Sequence, residues 1–92
     1  MRPALLIASL DAERRRQLRK LLADWPCYEA SDSASLRRLL RVARPALLLL
    51  DGDWPAEGAE RAGVLELRLD ASLFGVRERV AVLLAAAPPA LQ

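Results

Sequence analysis

The chain contains no histidine, which removes the commonest general base and the commonest metal ligand in one stroke. It has a single cysteine, Cys27, so an internal disulfide and a Cys-x-x-Cys metal or redox pair are both excluded, and Cys27 reads as core packing. No glycine-rich phosphate loop and no nucleophile and base pair stand out, which argues against a stand-alone enzyme. No apolar run approaches the roughly 20 residues of a membrane span. The first such run is short and an arginine-rich segment follows it, which is not a signal-peptide pattern, so a cytoplasmic location without membrane contact is the expectation. A strong charge of one sign is also missing. Lys and Arg outnumber Asp and Glu by only 14 to 12, and the basic excess sits before Pro55, with ten basic against seven acidic residues there and four against five afterwards. That field is too weak to predict a nucleic-acid partner.

What is present is a set of short apolar runs separated by helical patterns, in 92 residues that suffice for one domain, 1–92. Ala4–Ala8 and Ala46–Leu50 are continuous apolar runs, as expected of strands buried on both faces of a parallel sheet. Between them, Asp11 is placed to cap a helix whose apolar face is Leu18, Leu21, Leu22 and Trp25. Cys27–Ala30 reads as a brief strand. Ser31–Ser35 supplies start chemistry for a second helix, with Leu36, Leu39, Leu40 and Ala43 facing the core and Pro45 stopping it. Strand, helix, strand, helix, strand with right-handed crossovers predicts a parallel sheet in the order 2-1-3.

Beyond Pro55 the segment 56–62 has no apolar period and reads as a loop. Val64–Asp70 alternates, with Leu65, Leu67 and Leu69 on one face and Glu66 and Arg68 on the other, as an edge strand does. A parallel direction is favoured for it, although an antiparallel one suits the short connector. A last helix carries Leu73, Val76, Val80, Leu83 and Leu84, with Ser72 as its expected cap and Gly75 inside its first turns. The predicted fold is therefore α/β: a truncated flavodoxin-like three-layer sandwich with a four-stranded, mainly parallel sheet in the order 2-1-3-4 and about three helices.

The strand Leu5–Ala8, the stretch Cys27–Ala30 leading into Ser31-Asp32-Ser33, and Arg44-Pro45-Ala46 running through four leucines to Asp51 and on to Pro55 keep a distinctive order and spacing. Over residues 3–55 the chain resembles the response-regulator receiver domain of two-component signalling. The resemblance implies that Asp51 stands at the phosphoacceptor position. It also implies two acidic residues directly after the first strand, to hold the Mg²⁺ that phosphoryl transfer to a carboxylate requires; here those positions read Ser9 and Leu10. Asp11 and Asp53 are the nearest carboxylates that could partly substitute, and Arg68 is placed to take the position of the family's lysine. About eight residues separate Pro55 from Val64, too few for the helix, strand and helix of a full receiver. The implied object is a shortened, degenerate pseudo-receiver with no cofactor.

Three functions follow as expectations. The favoured one is a non-catalytic interaction or dimerisation module in signalling or regulation. An alternative is a phosphorylatable single-domain regulator acting through Asp51 with Mg²⁺, and a second is a small nucleic-acid-binding protein using Arg37, Arg38 and Arg41. The arginine clusters 14–16 and 37–44 otherwise read as wet helix faces, and Asp51 with Asp53 as solvated carboxylates at a strand end. Because the missing elements leave the Leu-rich strand short of cover, Leu47, Leu49, Trp54, Leu67, Val80 and Leu84 are the expected interface residues, of a homodimer or of a complex with another protein.

Overall fold

The computed structural model describes residues 3–52, 54 and 64–86. Its elements run β1 (Leu5–Ala8), α1 (Ala12–Leu21), β2 (Cys27–Ala30), α2 (Ser33–Val42), β3 (Leu47–Leu50), β4 (Leu65–Arg68) and α3 (Val76–Ala86). The four strands form one sheet in the order β2-β1-β3-β4, and every pair is parallel. The order, the direction of β4 and the three helices agree with the α/β, truncated flavodoxin-like expectation.

The two central strands explain their own sequence. Leu5–Ala8 and Leu47–Leu50 are fully buried, because helices cover both faces of the sheet and no residue of either strand meets water. On one face Leu5, Ile7, Leu47, Leu49 and Leu69 pack with Leu18 and Leu22 from α1 and its C-cap and with Val76 and Val80 of α3. On the other, Leu6, Ala8, Ala30, Leu48 and Leu50 pack with Leu36 of α2 and with Trp54. The outer strands are wetter: Tyr28 is exposed in β2, and Leu65, Glu66 and Arg68 are exposed in β4.

Helix ends follow local chemistry. Asp11 and Asp32 accept the backbone N–H groups of Glu13 (2.9 Å) and Ser35 (2.7 Å), so each helix begins on an aspartate cap. Past α2, Arg44 turns into the left-handed region at φ 49° and Pro45 then commits the chain to extended backbone.

Two expectations are corrected here. Leu47, Leu49 and Val80 are completely buried and Trp54 is 4% exposed, so they belong to the core and not to a waiting interface. The physical reason differs by face: Leu18 and Leu22 of α1 and its C-cap, with Val76 of α3, close over Leu47, Leu49 and Val80, while on the other face a turn closed by the Trp54 N–H on the Asp51 carbonyl (3.0 Å) packs the indole with Leu48 and Leu50. Leu67 and Leu84 are half-buried against the opposite core. The second correction concerns α3. The Ser72 hydroxyl accepts from Phe74 N–H (3.1 Å) in a local turn and does not cap the helix. Gly75 lies just before α3, at φ +76°, and its carbonyl accepts the Arg79 N–H (3.0 Å), so it starts the helix from a conformation suited to glycine and no glycine weakens the interior.

Candidate functional site

Because all strands are parallel, their carboxyl ends share one edge of the sheet, and the order reverses between β1 and β3, where such folds form a crevice. The ladder is continued past the strand ends by Ser9 N–H on Ala30 O (3.2 Å), Asp51 N–H on Ala8 O (2.9 Å) and Leu69 N–H on Leu50 O (2.7 Å). These bonds bring Ser9, Asp51 and the segment 69–71 side by side beneath the first turn of α1. Asp11, Arg14, Asp51, Gly52, Asp70 and Ala71 line an open pocket of about 340 Å³ there.

Asp51 is the hub. Its Oδ1 accepts from Arg14 Nη2 (2.8 Å) and from the Gly52 N–H (2.9 Å). Its Oδ2 accepts from Ser9 Oγ (2.7 Å) and from Arg14 Nε (3.2 Å). The guanidinium thus grips the carboxylate with two nitrogens, the fork geometry that a lysine cannot reproduce. Arg14 also donates from Nη1 to the Ala71 carbonyl (2.9 Å) and from Nη2 to the Asp70 carbonyl (2.7 Å). One side chain therefore joins α1, β3 and the start of the β4–α3 connection. The Arg14 and Asp51 side chains are only 17% and 13% exposed, so solvent screens the pair weakly.

The electrostatic consequence is consistent from both sides. The Arg14 hydrogen bond, with help from Ser9 and the Gly52 N–H, holds the Asp51 carboxyl below the usual carboxylate range despite partial burial. The Arg14 guanidinium is correspondingly pushed up, chiefly by its hydrogen bond to Asp51. Gly52 keeps this corner tight, because a Cβ there would stand 3.1 Å from the Leu69 carbonyl.

Of the residues singled out from sequence, Ser9, Asp11 and Asp51 come together. Ser9 is fully buried; besides its bond to Asp51, its oxygen accepts the Asp11 N–H (3.1 Å). Asp11 lines the pocket while capping α1 through Glu13. Asp53 lies outside the described residues. Arg68 lies in β4 opposite Leu50 and donates to the Trp54 carbonyl (3.4 Å), so the cation that the described contacts place on Asp51 is Arg14 instead.

Arg14 was not among the expected site residues, and the wet-face reading of the cluster 14–16 is corrected. Arg15 is also drawn in, donating to the Ser9 carbonyl (2.6 Å) and lying 3.5 Å from Glu29. Arg16 alone of the three stays on the wet face, 3.6 Å from Glu13. A signal for Arg14 was in the chain. It falls in the first turn of a helix, where the macrodipole disfavours a cation, and a basic residue there calls for a nearby carboxylate.

The donor set does not fit a divalent cation. Both oxygens of Asp51 already accept two hydrogen bonds each, a fixed positive charge occupies its approach, and the residues directly after β1, Ser9 and Leu10, add no carboxylate. Among the described residues no group of three or more His, Cys, Asp or Glu side chains is placed to hold a metal ion. No protein-family model matches the chain, and comparison with curated proteins finds no match either.

Proposed function

We propose that the chain is a receiver-like module that binds protein and performs no phosphotransfer, with Asp51 retained as an anchor of the strand-end network. The observation that carries this reading is the saturation of the Asp51 carboxylate by Arg14, Ser9 and the Gly52 N–H. An acceptor carboxylate must offer a free lone pair to phosphorus while a metal neutralises the transferring group. Here the lone pairs are engaged, the basicity of the oxygens is lowered, and the neutralising charge belongs to the protein itself.

An interaction role is supported by apolar side chains left in water on the β4 and α3 side: Phe74 is 93% exposed, Val82 65% and Leu65 37%. Nucleic acid is a poorer occupant, since the exposed Arg37, Arg38 and Arg41 sit on α2, across the sheet from α1, and the basic residues do not merge into one surface.

The test is treatment with acetyl phosphate and Mg²⁺, or with beryllofluoride, read by intact-mass and ¹⁹F spectra. No adduct is expected. An adduct on the wild-type chain that disappears in Asp51→Asn would overturn the reading.

A further inference from the structure

Strand β4 has a hydrogen-bonded strand neighbour on one side only among the described residues, namely β3. Its parity is fixed by the bond from Leu69 N–H to Leu50 O: main-chain groups of Leu65, Leu67 and Leu69 turn toward β3, and those of Glu66 and Arg68 turn toward the outer edge. Side chains alternate the other way, across the faces of the sheet. Leu67 and Leu69 lie with the α1 and α3 core, while Glu66 and Arg68, opposite Leu48 and Leu50, lie on the α2 side.

We infer that β4 pairs antiparallel with the β4 of a second copy of this chain, about a two-fold axis at Leu67, giving a continuous eight-stranded sheet. Charge register selects this pairing. Three nearby alignments set outward-facing main chain against outward-facing main chain. Centring on Glu66 opposes two glutamates; centring on Arg68 opposes two arginines and sets Glu66 against Asp70. Like charges directly across a sheet repel. Centring on Leu67 instead places Glu66 opposite Arg68 twice, each a pair that exchanges both main-chain hydrogen bonds, with Leu67 against Leu67 between them. Glu66 also has a contact within its own chain, and its charge stands at this register position all the same. On the opposite face, which Leu67 shares, Leu65, 37% exposed, comes against Leu69 of the second copy, so the core on the α1 and α3 side of each copy meets its counterpart across the axis.

This rests on the interaction-module reading and supplies its partner. The experiment is sedimentation velocity over a concentration series for the whole chain, for Arg68→Glu and for the swapped double variant Glu66→Arg with Arg68→Glu, each confirmed folded by circular dichroism. A wild-type dimer is expected, weakened about tenfold or more in Arg68→Glu, where four carboxylates crowd the edge, and restored in the swap. A second readout is oxidation of Leu67→Cys in a Cys27→Ser background. The two positions face each other as a non-hydrogen-bonded pair about 4.5 Å apart, within disulfide reach, so a cross-linked dimer forms there and not from Leu65→Cys. A monomeric wild type, or a dimer indifferent to Arg68→Glu, overturns the edge pairing while leaving the Asp51 reading in place. An Asp51 adduct removes that reading while leaving the charge-swap result standing.

Discussion

Helices α1 and α2 are both ten residues long, both begin on an aspartate cap and both carry arginines off their apolar stripes, yet those arginines do different work. In α1 the first-turn Arg14 folds onto Asp51 and Arg15 onto Ser9 and Glu29. In α2, Arg37, Arg38 and Arg41 remain exposed. The helices differ in what stands beyond their first turn. Helix α1 starts over the β1 and β3 ends, where a buried strand delivers a carboxylate, and its arginines begin within reach of it. Helix α2 follows the edge strand β2, and its first turn is Ser33-Ala34-Ser35, so its cations begin a turn farther along. A guanidinium's role is therefore set by the acceptor that the fold brings to it, and not by the company it keeps in sequence.

The comparison breaks most readily at Arg14. Arg14→Ala and Asp51→Ala should each lower unfolding free energy by about 2 to 3 kcal/mol, since each strands a largely buried charge. In a domain this size that is a fall in Tm on the order of 10 °C. The double variant should lose less than the sum of the two, with a coupling of about 1 kcal/mol or more in urea titrations. Additive losses below about 0.5 kcal/mol would place Arg14 with the solvated arginines of α2.

A smaller, pH-resolved effect sharpens the same contrast. The Asp51 carboxyl is held below its ordinary value in the folded chain, so its contribution is fully present above the unfolded pKa of about 4 and is lost as pH falls through the lower folded value. The stability difference between wild type and Asp51→Asn should therefore be constant from neutral pH down to that unfolded value and shrink below it. A difference that persists undiminished in acid would assign the effect to shape and not to charge. The smallest effect belongs to α2: Arg37→Ala and Arg38→Ala should each stay within about 0.5 kcal/mol of wild type by thermal melting.

The fold was legible because its rules act over short stretches. The runs Leu5–Ala8 and Leu47–Leu50 name central strands, Asp11 and Asp32 announce helix starts, and the alternation from Leu65 to Arg68 names an edge. Of the site, Asp51, Ser9 and Asp11 were legible as residues at strand ends. The Arg14 grip was not, because its acceptor lies 37 residues away and only the crossover geometry joins them. Trp54 misled for a related reason. An indole beside a proline at a strand end reads equally as an anchor for a partner or as a lid on its own core, and the turn on the Asp51 carbonyl decides for the lid.

The position of β1 has a bearing on how the chain reaches this state. Of the four described strands β1 comes earliest in sequence, and it lies in the interior of the sheet, with Leu5 opposite Cys27 on one side and Leu47 on the other. The three described ladders are all parallel, so none of them is closed by a tight hairpin and each waits on a long loop closure, which slows folding. Until Leu47–Leu50 leaves the ribosome, Leu-Leu-Ile-Ala is a sticky strand with an open flank, and the half-made domain depends on its own helices or on chaperones to keep that flank from pairing with a neighbour.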